Sequence, residues 1–418
     1  MDFNDTPEEA AFRAEVRGWL DANATRIDPN ENGSYEMFSE NDGDDVVKQA
    51  QAWQAKKADA GWACITWPKE YGGRGGTIME NIIFGQEERN YHTPQNIFGI
   101  GLGMAGPTVM AHGTTEQKAK YLPSLLRGER IWCQLFSEPA AGSDLAGLTT
   151  RSERDGDDWI INGQKVWTSG AHYSKTGIIV TRSDFNAPKH KGLTYFIVDM
   201  EAEGVDVRPI KQMTGGANFN EVFFTNVRIP DADRLDEVGN GWSVSITTLM
   251  NERMSIGSGF ALGPDRIFEE FHRLAKSTYI DGIPAVENHA VRAKIAELYS
   301  RMKAMELTSN RVLSSISQGN APGTESAVIK LAMGALNQEI AAFGMELQGN
   351  LGTEHGPQSI FNNGLFQEVY LGIPAMRIAG GSDEVQRNVI AERELGIPQE
   401  TRVDKGIPFK DIPSASNR

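Results

Sequence analysis

The stretch from Ile131 to Gly170, IWCQLFSEPAAGSDLAGLTTRSERDGDDWIINGQKVWTSG, constrains this 418-residue chain more than any other. Its first half contains Phe136-Ser137-Glu138-Pro139-Ala140-Ala141-Gly142-Ser143-Asp144, a run of hydroxyls, small residues and one proline. Such a run has little to pack, but its exposed N–H groups and hydroxyls hydrogen-bond a polar ligand. The second half, Trp159 to Ser169, predicts a hairpin. Trp159-Ile160-Ile161 and Gln164-Lys165-Val166-Trp167-Thr168 flank Asn162-Gly163, the pair that best tolerates the positive φ angles of a type I′ turn. That hairpin would carry Trp167, Thr168 and Ser169 back over the loop, one large ring beside two hydroxyls, which suits a flat, polar-edged cofactor. The same residues also fit a surface turn followed by an ordinary hairpin with a core tryptophan. On residue chemistry alone this plainer reading is favoured.

The flanking sequence sets the organisation. Residues Thr6 to about Arg130 carry helical signals: Thr6-Pro7-Glu8-Glu9 predicts a capping box with proline at the first helical position, and Phe12, Val16, Trp19 and Leu20 share one face. Residues from Asp21 to Asp44 read as a polar excursion. Further helices are predicted around Trp53, from Thr77-Ile78-Met79-Glu80, and from Thr114 to Arg127. The glycine-rich stretch Gly99 to Gly106 resembles a dinucleotide loop only superficially, since no strand precedes it. From Ile131 to about Pro230 short β-rich runs suggest a small barrel or sandwich. Beyond Asp231 the helical period returns. Trp242, Ile246, Leu249, Met250, Met254 and Ile256 are expected to load a first long helix, and later helices complete a bundle. A Pro- and Ser-containing tail from Arg402 is expected to be poorly ordered or wrapped on a neighbour.

Composition excludes several classes. A net charge of −15 argues against nucleic acid and anionic membranes. The two cysteines, Cys64 and Cys133, lack metal-type spacing and indicate a reducing compartment. With no signal character at Met1-Asp2-Phe3-Asn4-Asp5 and no membrane-length apolar run, the expectation is a soluble, cytoplasmic protein. None of the seven histidines forms a metal cluster or a nucleophile dyad.

Ser137-Glu138-Pro139 through Ser143-Asp144, followed by Trp167-Thr168-Ser169, resembles the flavin-binding signature of the acyl-CoA dehydrogenase family, (S/T)EPxAGSD and then W(I/T)(T/S). The likeness runs from the amino-terminal helices to Ile397. It implies an α+β multidomain chain: an N-terminal all-α domain (1–130), a middle small β-barrel (131–236) and a C-terminal four-helix bundle (237–400), then a tail (401–418). FAD would lie between the last two domains. The implied reaction oxidises an acyl-CoA to the 2,3-enoyl-CoA and passes electrons to an electron-transfer flavoprotein or similar acceptor.

That reaction demands a carboxylate to remove an α-proton from a thioester in a water-poor pocket, where desolvation raises its pKa. The family's commonest home for it is a Tyr-Glu-Gly-Thr-type turn near the C-terminus. Aligning Gln386-Arg387 with the family's Gln-Arg places Gly380 at that position, and glycine accepts no proton. A minority, resembling isovaleryl- and long-chain acyl-CoA dehydrogenases, keeps the base just before an arginine on the bundle's first long helix. Leu249-Met250-Asn251-Glu252-Arg253-Met254 places Glu252 there, with Arg253 as the pantetheine contact. Glu252 facing water or pairing with an arginine is the ordinary alternative, since most helix glutamates do so.

The resemblance also implies cofactor contacts. Phe136 and Ser137 match contacts to the flavin ring, and Gly142 and Ser143 match phosphate- and substrate-side contacts. Trp167 and Ser169, with Thr168 between them in the motif, match the stacking ring and the hydroxyl near N5. Ser382 and Glu384 match weaker contacts with the ribityl-phosphate or adenosine. A neighbouring subunit's Gln-x-x-Gly-Gly segment survives only partly, as Gln348 and Gly349, and the Arg-x-x-Phe-Gly segment is replaced by Tyr279-Ile280-Asp281-Gly282-Ile283. A homodimer, a homotetramer or a mixed assembly with a related chain are all open. Two alternatives stand beside the dehydrogenase: a flavin oxidase on the same scaffold, and a catalytically silent flavin-binding partner subunit.

Overall fold

The computed structural model describes residues 5–28, 43–258, 264–317, 325–354, 361–402 and 404–413, without the side chains of 253–258, 264, 316 and 317. The N-terminal part contains α1 (Pro7–Asn23), β1 (Thr25–Arg26), α2 (Asp44–Asp59), α3 (Ile78–Glu88), β2 (Tyr91–His92), α4 (Gly106–His112) and α5 (Thr115–Leu126). α1, α3 and α5 each start with a reciprocal capping box, Thr6 with Glu9, Thr77 with Glu80 and Thr114 with Gln117. Each box satisfies two N–H groups that the first turn leaves without partners. Phe12, Val16 and Leu20 are buried on α1, as the spacing predicts. The glycine-rich stretch forms a single π-turn, Gly101–Ala105, running into α4. Its glycines serve close packing: a Cβ on Gly106 would lie 2.2 Å from the Trp67 ring, and one on Gly101 would lie 2.6 Å from Leu125.

The middle part is one mixed sheet of β3 (Trp132–Leu135), β4 (Arg151–Asp155), β5 (Asp158–Ser169), β6 (Thr176–Arg182), β7 (Leu193–Asp199), β8 (Val205–Ile210), β9 (Phe219–Pro230) and β10 (Arg234–Leu235). Its strand order is β10-β7-β6-β4-β5-β9-β8, and β3 adds to β6 in parallel. The sheet curls around Leu135, Trp159, Ile161, Ile179, Phe196, Val222 and Val227, which form one core. The expected barrel does not close. Among the described residues no ladder joins β8 to β10, and β4 meets β6 through the single pair Arg151↔Arg182. β8 stays an edge strand because its Asp206 and Arg208 face solvent, and charge on an edge blocks further pairing.

The expected Asn162-Gly163 hairpin is also overturned. Both residues lie inside the continuous strand β5, and the turn is Gly156-Asp157, between the paired residues Asp155 and Asp158 of β4 and β5. Asn162-Gly163 forms a bulge instead, where the register against β9 shifts between Ile161 and Gly163. Asn162 Oδ1 accepts a 2.8 Å bond from the Asn226 N–H. Gly163 has φ 153°, and a Cβ there would lie 2.6 Å from Thr150 Oγ1 and 2.7 Å from its Cα. The glycine serves a close approach between strands, which local turn propensity does not reveal.

The C-terminal part holds α6 (Gly241–Ser258), α7 (Pro264–Ser277), β11 (Tyr279–Ile280), β12 (Ile283–Pro284), α8 (His289–Ser317), α9 (Glu325–Leu347), α10 (Leu365–Met376) and α11 (Asp383–Val389). The bundle core comes from α7 to α10, through Phe271, Leu298, Ile340 and Phe366. α6 packs instead with α4, the π-turn and β7. It buries Val244, Ser245 and Thr248, while Ile246 and Met250, expected inside, are 40% and 58% exposed. Met254 and Ile256 lie outside the described side chains. The tail does not hang free. Pro408 bridges to Pro188, and Phe409 and Lys410 donate their N–H groups to Ala187 and Phe185 of the same chain.

Gly163→Ala is expected to destabilise the protein by roughly 1–3 kcal/mol, because the new methyl group overlaps the Thr150 backbone. Thermal melts of the two proteins check this, and an unchanged melting temperature contradicts it.

Candidate active site

β3 delivers the polar loop into position. Phe136, which follows β3, is buried edge-on against Tyr195, with ring centroids 5.8 Å apart. The Val166 N–H then bonds the Ser137 carbonyl at 2.9 Å, tying the loop to β5. Pro139-Ala140 forms the tip of a tight turn closed by two backbone bonds between Glu138 and Ala141. Beyond it Gly142 and Ser143 are exposed.

Glu138 gives this loop its rigidity, a role that motif matching does not reveal. Its carboxylate accepts from the N–H groups of Thr149 (2.7 Å) and Thr150 (2.9 Å) and from the Thr149 hydroxyl (2.9 Å). It also pairs with Lys165 at 2.9 Å, and Lys165 donates to the Phe136 carbonyl at 3.0 Å. The two side chains are 5% and 0% exposed. Burial alone would raise the Glu138 carboxyl, but the Lys165 ammonium and the donors from Thr150 and Thr149 outweigh it and hold the group below the ordinary glutamate value.

Trp167 sits across from the loop on the second bulge of β5, where the register shifts between Lys165 and Thr168. Its φ is +60°, its ring is 60% exposed, and its edge meets Phe219 at 6.0 Å. A bulky residue in the left-handed region is costly, so the surrounding structure must hold it there. Asn220 does part of this by donating to the Thr168 carbonyl at 3.0 Å. Thr168 is buried and its hydroxyl has no partner among the described residues, whereas Ser169 is half-buried. The indole is thus exposed two residues before Ser169, and the route to it is a bulge and not a hairpin turn.

Glu252 approaches from α6. It lies four residues after Thr248 and seven after Ser245, so it continues the buried face of that helix. Its side chain is half-buried, and Gln134 Nε2 on β3 donates to its Oε2 at 3.3 Å. The carboxylate therefore stands beside the strand that leads into Phe136 and Ser137. A buried hydroxyl chain fixes α6 in place: Thr248 Oγ1 lies 2.9 Å from both Thr108 Oγ1 of α4 and the Tyr195 hydroxyl of β7. His112 adds a second joint, with Nδ1 2.8 Å from Asp236 Oδ2 and Nε2 2.8 Å from Thr247 Oγ1. Neither Gln134 nor this chain carries a motif that marks it in the sequence. Arg253 lies outside the described side chains.

The C-terminal turn holds glycines where the resemblance would put a base. Gly380 and Gly381 have φ +65° and +97°, and the Gln386 amide clamps the Gly380 carbonyl at 2.8 Å. Asp383 is 4% exposed and bonded to Arg377 at 2.6 Å, so its charge is neutralised structurally. Ser382 caps α11, and Glu384 is exposed at the first turn of that helix. Gln348 and Gly349 follow α9, where Gln348 Nε2 bonds the Gly344 carbonyl at 3.2 Å and its Oε1 has no partner among the described residues. Tyr279 to Ile283 forms a tight hairpin turning through Asp281 and Gly282 (φ 51° and 81°).

Lys165→Met leaves Glu138 buried without its cation and is expected to destabilise the protein by about 3–5 kcal/mol near neutral pH. The depressed carboxyl contributes its stability above the free value of 4.5 and loses it as pH falls through the folded value. Denaturant titrations should therefore show the gap between variant and wild type narrowing on acidification below 4.5. A gap independent of pH contradicts the pairing.

Comparison with known proteins identifies the family. Sequence models of the acyl-CoA dehydrogenase N-terminal, middle and C-terminal domains match residues 6–129, 133–227 and 239–395. The acyl-CoA dehydrogenase IpdE1 of Mycobacterium tuberculosis is 35% identical over 399 residues, 94% of this chain and 98% of its own length. Among solved structures, the Tcur3481-Tcur3483 steroid ACAD superposes with a TM-score of 0.78 at 28% identity, over 96% of this chain and all (100%) of that one. The ChsE4-ChsE5 complex from Mycobacterium tuberculosis gives the same TM-score, 0.78, and the same identity, 28%, over 96% of this chain and 100% of its own. The chain belongs to the acyl-CoA dehydrogenase family of flavin-dependent oxidoreductases.

Proposed function

We propose that the protein oxidises an acyl-CoA thioester to the trans-2-enoyl-CoA with Glu252 as the base that takes the α-proton. The observation that carries this is the placement of a half-buried carboxylate on α6 within hydrogen-bond reach of β3, two residues before the flavin loop. The family's other site for a base holds Gly380, and the nearby Asp383 is engaged by Arg377.

FAD is the family's cofactor, and the residues present fit it. Gly142 and Ser143 are exposed with no hydrogen-bond partner among the described residues, so their N–H groups are available to a polar ligand. Trp167 is held outward in the left-handed region with its side chain largely exposed, which leaves a large aromatic face open to a ligand. Phe136, Ser137, Gly142, Ser143, Trp167, Thr168 and Ser169 would hold the flavin, with Ser382, Glu384, Gln348 and Gly349 toward the rest of the cofactor. When bound, FAD supplies the two-electron acceptor for the β-hydrogen.

The chain's own residues do the remainder. Gln134 orients the Glu252 carboxylate by donating to Oε2. The apolar side chains that line α6 beside it, Leu249 and Met250, suit an acyl chain better than water. Arg253 would meet the pantetheine arm, and Ser143 the substrate side of the loop. A bulky polycyclic acyl group is the favoured substrate, because a solved relative named as a steroid ACAD covers nearly the whole chain. The named ChsE4-ChsE5 complex supports a mixed assembly with a related chain, and an electron-transfer flavoprotein is the proposed acceptor.

Anaerobic titration of the FAD-loaded protein with straight-chain, branched and steroid-type acyl-CoA esters tests this reading through flavin absorbance. Wild type should bleach with at least one ester, the steroid type most completely. Glu252→Gln should retain FAD and bleach at least ~10³-fold more slowly, the scale of a lost general base. Bleaching undiminished in Glu252→Gln removes the assignment.

A further inference from the structure

Residues 404–412 pack against the 184–192 loop and, through two cations, reach the turn that follows the flavin loop. Phe409 packs on Phe185 with ring centroids 5.8 Å apart, and the Arg182 guanidinium lies 3.5 Å from the centroid of the Phe409 ring. Arg182 is completely buried (0% exposed) and its charge is spent on backbone carbonyls: Ala146 at 2.6 Å, Leu148 at 3.0 Å and Lys189 at 3.2 Å. The Ala146 carbonyl belongs to the turn at Leu145–Gly147, directly after Gly142, Ser143 and Asp144, and Leu148 is the residue that ends it. Lys189 links the same two segments a second time, bonding Asp144 at 2.5 Å and Asp404 at 3.1 Å.

A buried guanidinium held mainly by carbonyls depends on exclusion of water, since solvent competes for each of its donors. An aromatic face stacked on it both excludes water and attracts the charge. Without Phe409 that face of Arg182 would be open, and the Leu145–Gly147 turn would lose the rigidity of its anchor. Gly142 and Ser143, the exposed residues proposed above to meet the cofactor, precede this turn with only Asp144 between.

We propose that Phe409 is a positioning residue for FAD: it closes the face of Arg182 and thereby holds Gly142 and Ser143 in the geometry that receives the cofactor. Asp404, through Lys189 and Asp144, supports the same turn from its other side. This rests on the use of FAD and not on the identity of the base, so Glu252→Gln, which should bind FAD normally, fails or succeeds separately.

The test is FAD affinity of the full-length apoprotein, measured by flavin fluorescence, for wild type, Phe409→Ala, Phe409→Trp and a chain ending at Arg402. Phe409→Ala and the shortened chain should bind FAD roughly tenfold more weakly, with altered structure in the visible flavin band. Phe409→Trp, which restores an aromatic face, should return to within about twofold of wild type. A simple brace would lower the melting temperature of the apoprotein while leaving FAD affinity and spectrum unchanged, and that outcome overturns the proposal. Should Phe409→Ala fail to fold, Asp404→Ala removes one ion pair and should weaken FAD about threefold. Wild-type affinity in a folded Asp404→Ala protein would then count against it.

Discussion

The buried pair of Glu138 and Lys165 is the interaction on which the site depends. Removing two charges from water is expensive unless every lone pair and proton finds a partner. Here the carboxylate accepts from Thr149, Thr150 and Lys165, and the ammonium also holds the Phe136 carbonyl. These bonds join the exit of β3, the start of β4 and the middle of β5. The glutamate of the motif is thus engaged in shaping the loop, and the residues after the turn, Gly142 and Ser143, remain turned to the outside. On the far side of β5 the same strand bulges to hold Trp167 in a strained conformation. Loop and ring keep their relative placement because both are anchored to one strand.

The second constraint is the joint among the three parts of the chain. α6 belongs to the C-terminal segment by sequence, yet its buried face carries hydroxyls and meets α4 and β7. Hydroxyls at a helix crossing allow close approach, and their bonds are directional, so they fix the rotation of α6 about its axis. That rotation decides where Glu252 points. The His112 contacts to Asp236 and Thr247 add a bond at the start of the same helix. The bundle behind it is held by ordinary apolar packing of α7 to α10 and supplies a stable wall.

The C-terminal residues complete the frame from the opposite side. Arg182 sits beneath the turn after the flavin loop, and the tail covers it with Phe409. The site is consequently supported at three points by partners far apart in sequence: Lys165 below the loop, Arg182 behind it and Gln134 beside the proposed base. Each is buried or half-buried, and each owes its effect to a charge or amide in a place with little water.

Much of this was legible in the sequence by itself. The capping boxes at Thr6, Thr77 and Thr114 act through neighbours three residues away, so local pattern suffices to find them. The Ser137 to Asp144 loop and the Trp167 to Ser169 triplet point to the family because they are contiguous patterns of residue types in a set order. The absence of a carboxylate at Gly380 and its presence at Glu252 were equally readable. Only tertiary structure decided the rest. Asn162-Gly163 carries a strong turn signal, but Thr150 approaches so closely that the pair becomes a bulge within a long strand. Ile246 and Met250 of α6 suggested an inward face, and its crossing with α4 and β7 turned them outward while Trp242 and Leu249 stayed against the core. Composition suggested a tail poorly ordered or wrapped on a neighbour, and Phe185 with Arg182 gave Phe409 a seat within the chain. Sequence fixes what neighbouring residues favour; burial, close approach and the pairing of distant charges depend on which surfaces finally meet.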